Sequence, residues 1–320
     1  MARIANRMFL RRSPTIHMSD YFFIGIDGGA TSCRARIRDA DGNLLGEGCS
    51  GPANIQLDWH LANESICGAS RAAVRAAELD ERALHRAHAG LGLAGAGLKS
   101  ACDRLRAERN LFASIELGTD AYIAWLGAHR GSDGGVVILG TGSCGLAIVN
   151  GRRIDVGGWG AEISDEAGGQ RMGREALRRA LWAFDGRAER TRLSTVILDR
   201  FQSDPAKIIS FAATATPAQY AALAPLIFYY ASTDDSLAVT LVQEAADAAV
   251  RIIDRLIEAG APAISLTGGL AEPLASWLPD RVRNFLAAPQ SDSLDGAILM
   301  ARRALQSRLD PRHSKPSSAA

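Results

Sequence analysis

The stretch YFFIGIDGGATSCRARIR, residues 21–38, decides the fold. An apolar run with strand composition ends at Asp27, and Ser32 to Arg38 then alternates small or apolar residues with arginines, as a half-buried strand does. The turn Asp27-Gly28-Gly29-Ala30-Thr31 joins the two strands. Residues with so little side chain leave backbone N–H groups and a hydroxyl facing open space, which is how proteins hold phosphate oxygens. Asp41-Gly42 predicts a hairpin into a third strand.

The same order of elements returns in the second half of the chain. A strand-like run at residues 135–139 leads into the turn Gly140-Thr141-Gly142-Ser143, and Asn150-Gly151 predicts the next hairpin. Two matched turns can hold one polyphosphate from opposite sides. Helical segments follow each unit, so the sequence predicts an α/β protein with two lobes and mixed sheets.

A third glycine turn, Thr267-Gly268-Gly269, leaves a strand and enters a helix. Its backbone can approach the base or ribose of a nucleotide closely, although a simple strand-to-helix turn has the same sequence. We expect an N-terminal lobe at residues 20–130 and a C-terminal lobe at 131–309, with the last helix returning to the N-terminal lobe. Residues 1–19 are predicted to be a disordered tail or the result of an early start, and 310–320 a second disordered tail.

Composition excludes several classes of function. The 320 residues contain 36 Lys and Arg and 35 Asp and Glu, a formal charge of +1, so no field attracts nucleic acid or an anionic membrane. No apolar run approaches the roughly 20 residues that span a bilayer. The five cysteines are scattered without zinc-binding spacing, which indicates free thiols in the cytoplasm; they are Cys33, Cys49, Cys67, Cys102 and Cys144.

Two aspartates are the strongest candidates for chemistry. Asp27 ends a strand beside two glycines, where its carboxylate can hold Mg²⁺ through water, although Asp-Gly is also common in hairpin turns. Asp120 lies where a strand gives way to a helix, an edge at which α/β sites form, and its carboxylate can accept a hydroxyl proton. The alternative is that Asp120 stabilises the helix dipole, with Thr119 as the cap.

Polar groups for a polyhydroxy ligand follow in two loops. Gly157-Gly158-Trp159-Gly160 is a flexible segment that leads to Ser164-Asp165-Glu166, where acidic and amide groups suit sugar hydroxyls. Equally, Ser164 or Asp165 can cap the helix that follows. Asn54 is either a turn residue or an amide donor to a sugar hydroxyl.

These motifs carry a resemblance to a known family. IGIDGGAT (24–31), ILGTGS (138–143) and LTGGLAE (266–272) resemble the first phosphate, second phosphate and adenosine motifs of the sugar kinase, Hsp70 and actin superfamily. GIDGGATSCRARI, SGPANI, TDAYIAWLGAH, GTGSCG, ISDEAGG and PQSDSLDGA together resemble the N-acetylglucosamine kinase branch of the BadF/BadG/BcrA/BcrD ATPase family, most closely its bacterial glucosamine kinases. The likeness covers residues 21–305, with Ala30 where the motif usually has a third glycine.

The resemblance implies two ribonuclease-H-like lobes, as in the actin-like ATPases, and phosphorylation of the 6-hydroxyl of D-glucosamine by Mg-ATP in the cleft. It implies Asp120 as the general base and Asp27 on the magnesium side. It assigns phosphate and nucleotide contacts to Gly28, Gly29, Thr31, Gly140, Thr141, Gly142, Ser143, Gly268 and Gly269, and sugar contacts to Asn54, Thr119, Asp120, Gly160, Asp165 and Glu166.

Three alternatives remain open from the sequence. An N-acetylglucosamine kinase would need room for the acetyl group near Trp159. A partner-activating ATPase of the same family would use cysteines to hold an iron-sulfur cluster between subunits. A non-catalytic sugar sensor would need a DNA-binding domain before the first lobe, where only about 19 residues precede Tyr21. The oligomeric state is also open, a homodimer included.

Overall fold

Two mixed sheets, each with a glycine turn between its first two strands, form the framework of the protein. The structure is a computed structural model that describes residues 21–97, 103–105 and 111–310. Both predicted tails lie outside the described residues, apart from Asp310. The boundary between lobes at residues 130 and 131 stays a prediction.

The first sheet has the strand order β3-β2-β1-β4-β5. Strand β2 is antiparallel to both β1 and β3, whereas β4 pairs in parallel with β1 and β5 in parallel with β4. The strands are β1 (Phe22–Gly28), β2 (Cys33–Arg38), β3 (Leu44–Ser50), β4 (Ala87–Leu93) and β5 (Ser114–Gly118).

The described part of the second sheet repeats this plan in the order β8-β7-β6-β9. Here β6, β7 and β8 are antiparallel, and β9 runs parallel to β6. The strands are β6 (Gly134–Leu139), β7 (Ser143–Val149), β8 (Arg152–Gly157) and β9 (Ile264–Thr267). The predicted α/β fold with two related mixed sheets is therefore confirmed. Asn150 and Gly151 have φ values of 50° and 74°, as the predicted hairpin turn requires.

Helices cover both sheets. They span Trp59–Ala76, Asp120–His129, Gly169–Phe184, Arg192–Arg200, Pro205–Thr214, Pro217–Ala221, Ala224–Ala231, Ser236–Glu258, Ala271–Ala275, Asp280–Arg283 and Ser293–Leu309, with a 3-10 helix at Glu81–Arg86. The long helix Ser236–Glu258 begins after Asp235, which caps it by accepting from the N–H of Ala238. None of the described helices combines the length and the apolar character needed to cross a membrane.

The helix that follows the loop of Ser164 and Asp165 begins at Gly169, and its N-cap Gly168 makes no side-chain capping bond. The interpretation of Ser164 or Asp165 as its cap is therefore wrong. Their side chains belong to the preceding loop.

The C-terminal helix Ser293–Leu309 packs against β1, β4 and the helix Asp120–His129 at backbone distance. A Cβ on Gly90 would lie 1.9 Å from the carbonyl oxygen of Ala297, and one on Gly296 would lie 1.9 Å from that of Ile123. Only glycine permits such close approach, so these glycines fix the position of the helix.

The helix Asp120–His129 contacts both sheets. Trp125 lies in a buried cluster with Val136 and Leu146 of the second sheet and Met300 of the C-terminal helix. Its indole N–H donates to the carbonyl of Gly134 at 3.1 Å. The helix that begins at Asp120 thus packs against strands of both sheets.

Candidate active site

The first glycine turn lies at the carboxyl end of β1. The N–H of Gly29 donates to the carbonyl of Ser32 at 2.9 Å, which closes the turn and leaves its tip exposed. A Cβ on Gly28 would lie 2.6 Å from the side chain of Leu93 and 2.9 Å from that of Ala53. Ala30 is not among the described residues with positive φ, so its methyl group is accommodated without backbone strain.

The second glycine turn follows β6 and is tied to the loop before the helix Gly169–Phe184. The carbonyls of Gly140 and Thr141 accept from the N–H groups of Gly169 at 2.8 Å and Gln170 at 3.0 Å. The buried hydroxyl oxygen of Ser143 accepts from the N–H of Ala167 at 3.1 Å. Ser143 therefore already has a structural partner, and a contact between its side chain and phosphate stays a prediction.

The third glycine turn rests on the end of β6. Gly268 has φ of 95°, and a Cβ there would lie 2.4 Å from the carbonyl oxygen of Leu139. That carbonyl accepts from the N–H of Leu270 at 2.9 Å. A Cβ on Gly269 would meet no atom within 4 Å in the described part of the chain, where this side of the turn is open. The second and third turns are thus neighbours at one sheet edge, because Leu139 directly precedes Gly140.

Asp27, at the end of β1, holds two side-chain partners. Its Oδ2 accepts from the Arg34 guanidinium at 2.6 Å and from the hydroxyl of Ser293 at 2.6 Å. Arg34 lies directly opposite Asp27 in the hairpin register. Ser293 comes from the C-terminal helix, so the carboxylate joins two distant parts of the chain.

Asp120 is the first residue of its helix, and Thr119 caps that helix by accepting from the N–H of Tyr122 at 3.1 Å. The Oδ1 atom of Asp120 accepts from the N–H of Ala121 at 2.8 Å. Burial, with repulsion from Asp27 and Asp165, raises the pKa of Asp120 to about 6. Both sequence interpretations thus have support: the residue stands in the first helical turn, and its carboxylate has the properties of a base poised near neutral pH.

Asp165 is held against the second glycine turn with φ of 64°. Burial and the neighbouring Glu166 raise the pKa of Asp165, whereas N–H groups of Ser143 and Gly160 act in the opposite direction. Its Oδ1 atom is buried and has no hydrogen-bond partner within the part of the chain that the structure describes. A buried acceptor of this kind is suited to a ligand hydroxyl.

Asn54 lies in a loop that crosses the carboxyl ends of β1 and β4. The N–H of Ala53 donates to the carbonyl of Gly29 at 2.9 Å, and that of Ile55 donates to Ala94 at 3.2 Å. The Oδ1 atom of Asn54 accepts from the N–H groups of Gln56 at 3.0 Å and Leu57 at 3.2 Å. The amide oxygen therefore forms the turn, which leaves the NH₂ group for a ligand.

The glycine loop after β8 carries an exposed aromatic ring. Gly157, Gly158 and Gly160 have φ values of 68°, 73° and 99°, and Trp159 is 73% exposed. Glu166 is exposed in the same loop. Thr119 receives a long hydrogen bond from the Arg153 guanidinium at 3.4 Å, which joins β8 to the helix of Asp120.

Three residues near these carboxylates were missed by sequence reasoning. Arg34 was interpreted only as part of a polar strand face, although the hairpin register places it opposite Asp27. Ser293 lies in PQSDSLDGA, which entered only through the resemblance. The thiol of Cys144 lies near Asp120, Asp165 and Asp155; burial together with these carboxylates raises the pKa of Cys144, so the thiol stays protonated. No sequence signal locates it there.

The residues at Asp27 fit a hydrated magnesium ion. Mg²⁺ prefers oxygen ligands, keeps several waters and is bound through one or two carboxylates plus phosphate oxygens. Both donors to Asp27 contact Oδ2, which leaves Oδ1 for water on a cation, and the first glycine turn lies beside it. The ion would neutralise charge on the phosphates during transfer.

Comparison with known proteins agrees with this geometry. Residues 24–301 match the model of the BadF/BadG/BcrA/BcrD ATPase family. The glucosamine kinase GspK of Vibrio cholerae is 39% identical over 280 residues, which cover 88% of this chain and 95% of that protein. An N-acetylmuramic acid/N-acetylglucosamine kinase of Clostridium acetobutylicum is 28% identical over 305 residues, covering 88% of this chain and 98% of that protein.

A solved structure extends the likeness to the fold. A Chromobacterium violaceum protein, provisionally described as an N-acetylglucosamine kinase, superposes with a TM-score of 0.83 at 34% identity. The match covers 88% of this chain and 99% of that one. These matches show that the chain belongs to the BadF/BadG/BcrA/BcrD ATPase family, and the two mixed sheets and the order of the glycine turns along the chain agree with this assignment.

Proposed function

We propose that this protein transfers the γ-phosphoryl group of Mg-ATP to the 6-hydroxyl of D-glucosamine. The observation that carries the proposal is the buried Asp120 carboxylate, whose pKa is raised to about 6 by burial and by the charges of Asp27 and Asp165. A base with this pKa is largely ionised at neutral pH and still able to accept a proton. The identity to the Vibrio glucosamine kinase supports the choice of sugar.

The roles follow from position. Asp120 accepts the proton of the attacking hydroxyl as that oxygen bonds to phosphorus, and ADP leaves with the pair of electrons from the broken bond. Backbone groups of the first and second turns hold the phosphates, with Thr31 and Thr141 as hydroxyl donors, while Gly268 and Gly269 face the adenosine. Because phosphoryl transfer has a loose transition state, positioning and charge neutralisation contribute more than proton transfer.

The sugar is held from both lobes in this proposal. The buried Oδ1 atom of Asp165 accepts from one hydroxyl, and the NH₂ group of Asn54, whose amide oxygen is taken up by the turn, donates to another. Gly160, Thr119 and Glu166 complete the sugar side. Hydroxyl recognition by groups that would otherwise stay unpaired gives strong selection against molecules without those hydroxyls.

A second candidate function is phosphorylation of N-acetylglucosamine. The Clostridium relative and the Chromobacterium structure favour it, because both are described as acting on the acetylated sugar. A partner-activating ATPase is a third candidate, from the family name, and bound iron in the purified protein would favour it.

We also propose that the enzyme is cytoplasmic, since ATP is its phosphoryl donor. Light scattering would measure whether it forms a homodimer.

The deciding experiment is ADP release from Mg-ATP by purified protein with glucosamine, N-acetylglucosamine, glucose or no sugar. Release that depends on glucosamine and is far weaker with the acetylated sugar is the expected result. Preference for the acetylated sugar would retain the kinase mechanism and overturn the substrate. ADP release at the same rate with and without sugar, or no ADP release at all, would contradict the proposed reaction.

A further inference from the structure

The hydroxyl of Ser293 bridges two charged groups at the first glycine turn. It donates to Asp27 Oδ2 at 2.6 Å and accepts from the Arg34 guanidinium at 3.3 Å. Arg34 also donates directly to the same Asp27 oxygen at 2.6 Å. The carboxylate that we place on the magnesium side thus has one cationic and one neutral donor on a single oxygen.

These two donors respond differently to a nearby divalent cation. Mg²⁺ repels a guanidinium and competes with it for the carboxylate, whereas a neutral hydroxyl carries no net charge to be repelled. The Arg34 side chain is 47% exposed, so it has room to leave and to turn towards phosphate oxygens. Ser293 has a short side chain on a fixed helix and has no such freedom.

The backbone of Ser293 is firmly anchored. Asp292 caps the helix by accepting from the N–H of Asp295 at 3.0 Å, and its carboxylate receives two 2.8 Å bonds from Arg36. Asp295 pairs with Arg38 at 2.9 Å. The hydroxyl of Ser293 is therefore presented to Asp27 by a helix start that is fixed to β2.

We propose that Ser293 is a positioning residue for the magnesium side of the site. Its hydroxyl holds the Asp27 carboxylate in one orientation for a hydrated cation once Arg34 has been released. This inference rests on the proposed phosphoryl transfer. It gives the PQSDSLDGA segment a chemical role, because charge-assisted hydrogen bonds to a metal-side carboxylate fix its geometry and tune metal affinity.

The helix start also supplies a matched control. The hydroxyl of Ser291 donates to the carbonyl of Gly127 at 2.9 Å, so it anchors the same segment without contacting Asp27. Ser291→Ala and Ser293→Ala each remove one hydroxyl from neighbouring positions. Ser293→Thr keeps a hydroxyl at the position and serves as the conservative variant.

The test measures binding of ADP by calorimetry with and without Mg²⁺, and the Mg²⁺ concentration that half-saturates the glucosamine-dependent rate. We expect Ser293→Ala to reduce the metal-dependent tightening of ADP and to raise the half-saturating Mg²⁺ concentration, each roughly ten-fold. Affinity for ADP without metal should stay unchanged. Ser291→Ala should keep the metal dependence of the wild type, and Ser293→Thr should recover most of it.

Equal metal dependence in Ser293→Ala and Ser291→Ala would overturn the inference, and so would a loss in Ser293→Thr as large as in Ser293→Ala. Thermal unfolding of each variant verifies that it is folded before binding is compared. A wild-type protein that phosphorylates no sugar would contradict the proposed function, while calorimetry with ADP would still decide the role of Ser293.

Discussion

Gly142 and Asp165 are in direct contact across the site: a Cβ on Gly142 would lie 2.4 Å from Oδ2 of Asp165. Gly142 belongs to the second glycine turn, which we assign to the phosphates, and Asp165 to the loop that we assign to the sugar. One oxygen of Asp165 thus packs on the phosphate turn while the other, Oδ1, is buried without a described partner. In a phosphoryl transfer, the nucleotide and the sugar would therefore both contact the surface that Gly142 and Asp165 form.

Gly142→Ala should therefore damage sugar binding more than nucleotide binding. The added methyl group must displace the Asp165 carboxylate, and a displacement of this size costs on the order of a hundred-fold in kcat/KM. Gly140→Ala gives the contrast, because its Cβ would meet no atom of the described residues within 4 Å and, in the proposed assignment, would face the phosphates. Steady-state kinetics with each substrate varied should show a sugar defect for Gly142→Ala and an ATP defect for Gly140→Ala. If Gly142→Ala left kcat/KM for the sugar unchanged, the idea that Gly142 and Asp165 form one surface for both substrates would be contradicted.

The pH dependence of the reaction should report Asp120. The base acts only when ionised, and its pKa is about 6, so kcat/KM for the sugar should rise with pH up to about 6 and level off above it. Asp120→Asn should lower kcat by at least about 100-fold, with ATP binding retained. A wild-type profile that is flat down to pH 5, or a variant that keeps most of its rate, would remove Asp120 from the role of base.

The same carboxylate should make stability depend on pH. The pKa of Asp120 is raised in the folded protein from 3.8 to about 6, so the folded state binds the proton more tightly than the unfolded state. Its stabilising contribution is complete below pH 3.8 and is lost as pH rises through about 6. Above that range the buried, ionised carboxylate lowers the free energy of unfolding by about 3 kcal/mol. Urea unfolding should find Asp120→Asn stabilised at pH 7.5 relative to wild type, and this gain should shrink at pH 4.5; an equal gain at both values would contradict the assignment.

The fold followed from local signals in the sequence. The two hairpins with Asp-Gly and Asn-Gly turns, the strict alternation in β2 and the repeated order of elements depend on neighbouring residues, so one sequence was enough to find them. Helix starts were less accurate, since Gly169 begins a helix without a side-chain cap. Such a start depends on backbone bonds to Gly140 and Thr141, which no local pattern shows.

The site was predictable only in part. The glycine turns and Asp120 stand at strand ends, which can be located from hydrophobic patterns. The contact between Ser293 and Asp27 joins residues 266 positions apart, and it arises from glycine packing that brings the C-terminal helix to β1. Arg34 could have been found, because a hairpin register is set by turn length and places it opposite Asp27.

Removing the Arg34 side chain should weaken nucleotide binding with little effect on stability. The ion pair with Asp27 is half-exposed on the arginine side, and such pairs contribute up to about 1 kcal/mol. The guanidinium lies beside the first glycine turn, so phosphate can attract it once a cation occupies Asp27. We expect Arg34→Ala to raise the Kd for Mg-ATP about ten-fold, the usual worth of one charge-assisted contact, with Arg34→Lys intermediate. Calorimetry would contradict this if the Kd of Arg34→Ala equalled that of the wild type.

Gly296→Ala tests whether backbone contact of the C-terminal helix holds the protein together. Alanine favours an isolated helix by about 1 kcal/mol over glycine. At this position, however, its Cβ would lie 1.9 Å from the carbonyl oxygen of Ile123 and 2.6 Å from the N–H nitrogen of Gly127. The helix must move away from its neighbour, and overpacking of this kind costs about 1–3 kcal/mol or more.

Gly68→Ala is the matched control, since Gly68 is also helical and, among the described residues, its Cβ would meet only the side chain of Ser50, with the rotatable hydroxyl at 2.8 Å and the Cβ at 3.4 Å. Urea unfolding should find Gly296→Ala destabilised and Gly68→Ala neutral or slightly stabilised. Because the helix carries Ser293 to Asp27, Gly296→Ala should also lose the metal dependence of ADP binding, whereas Gly68→Ala should keep it. Similar stability in both variants would mean that the C-terminal helix tolerates displacement. The claim that this helix holds the Ser293 hydroxyl in a fixed position at Asp27 would then be wrong.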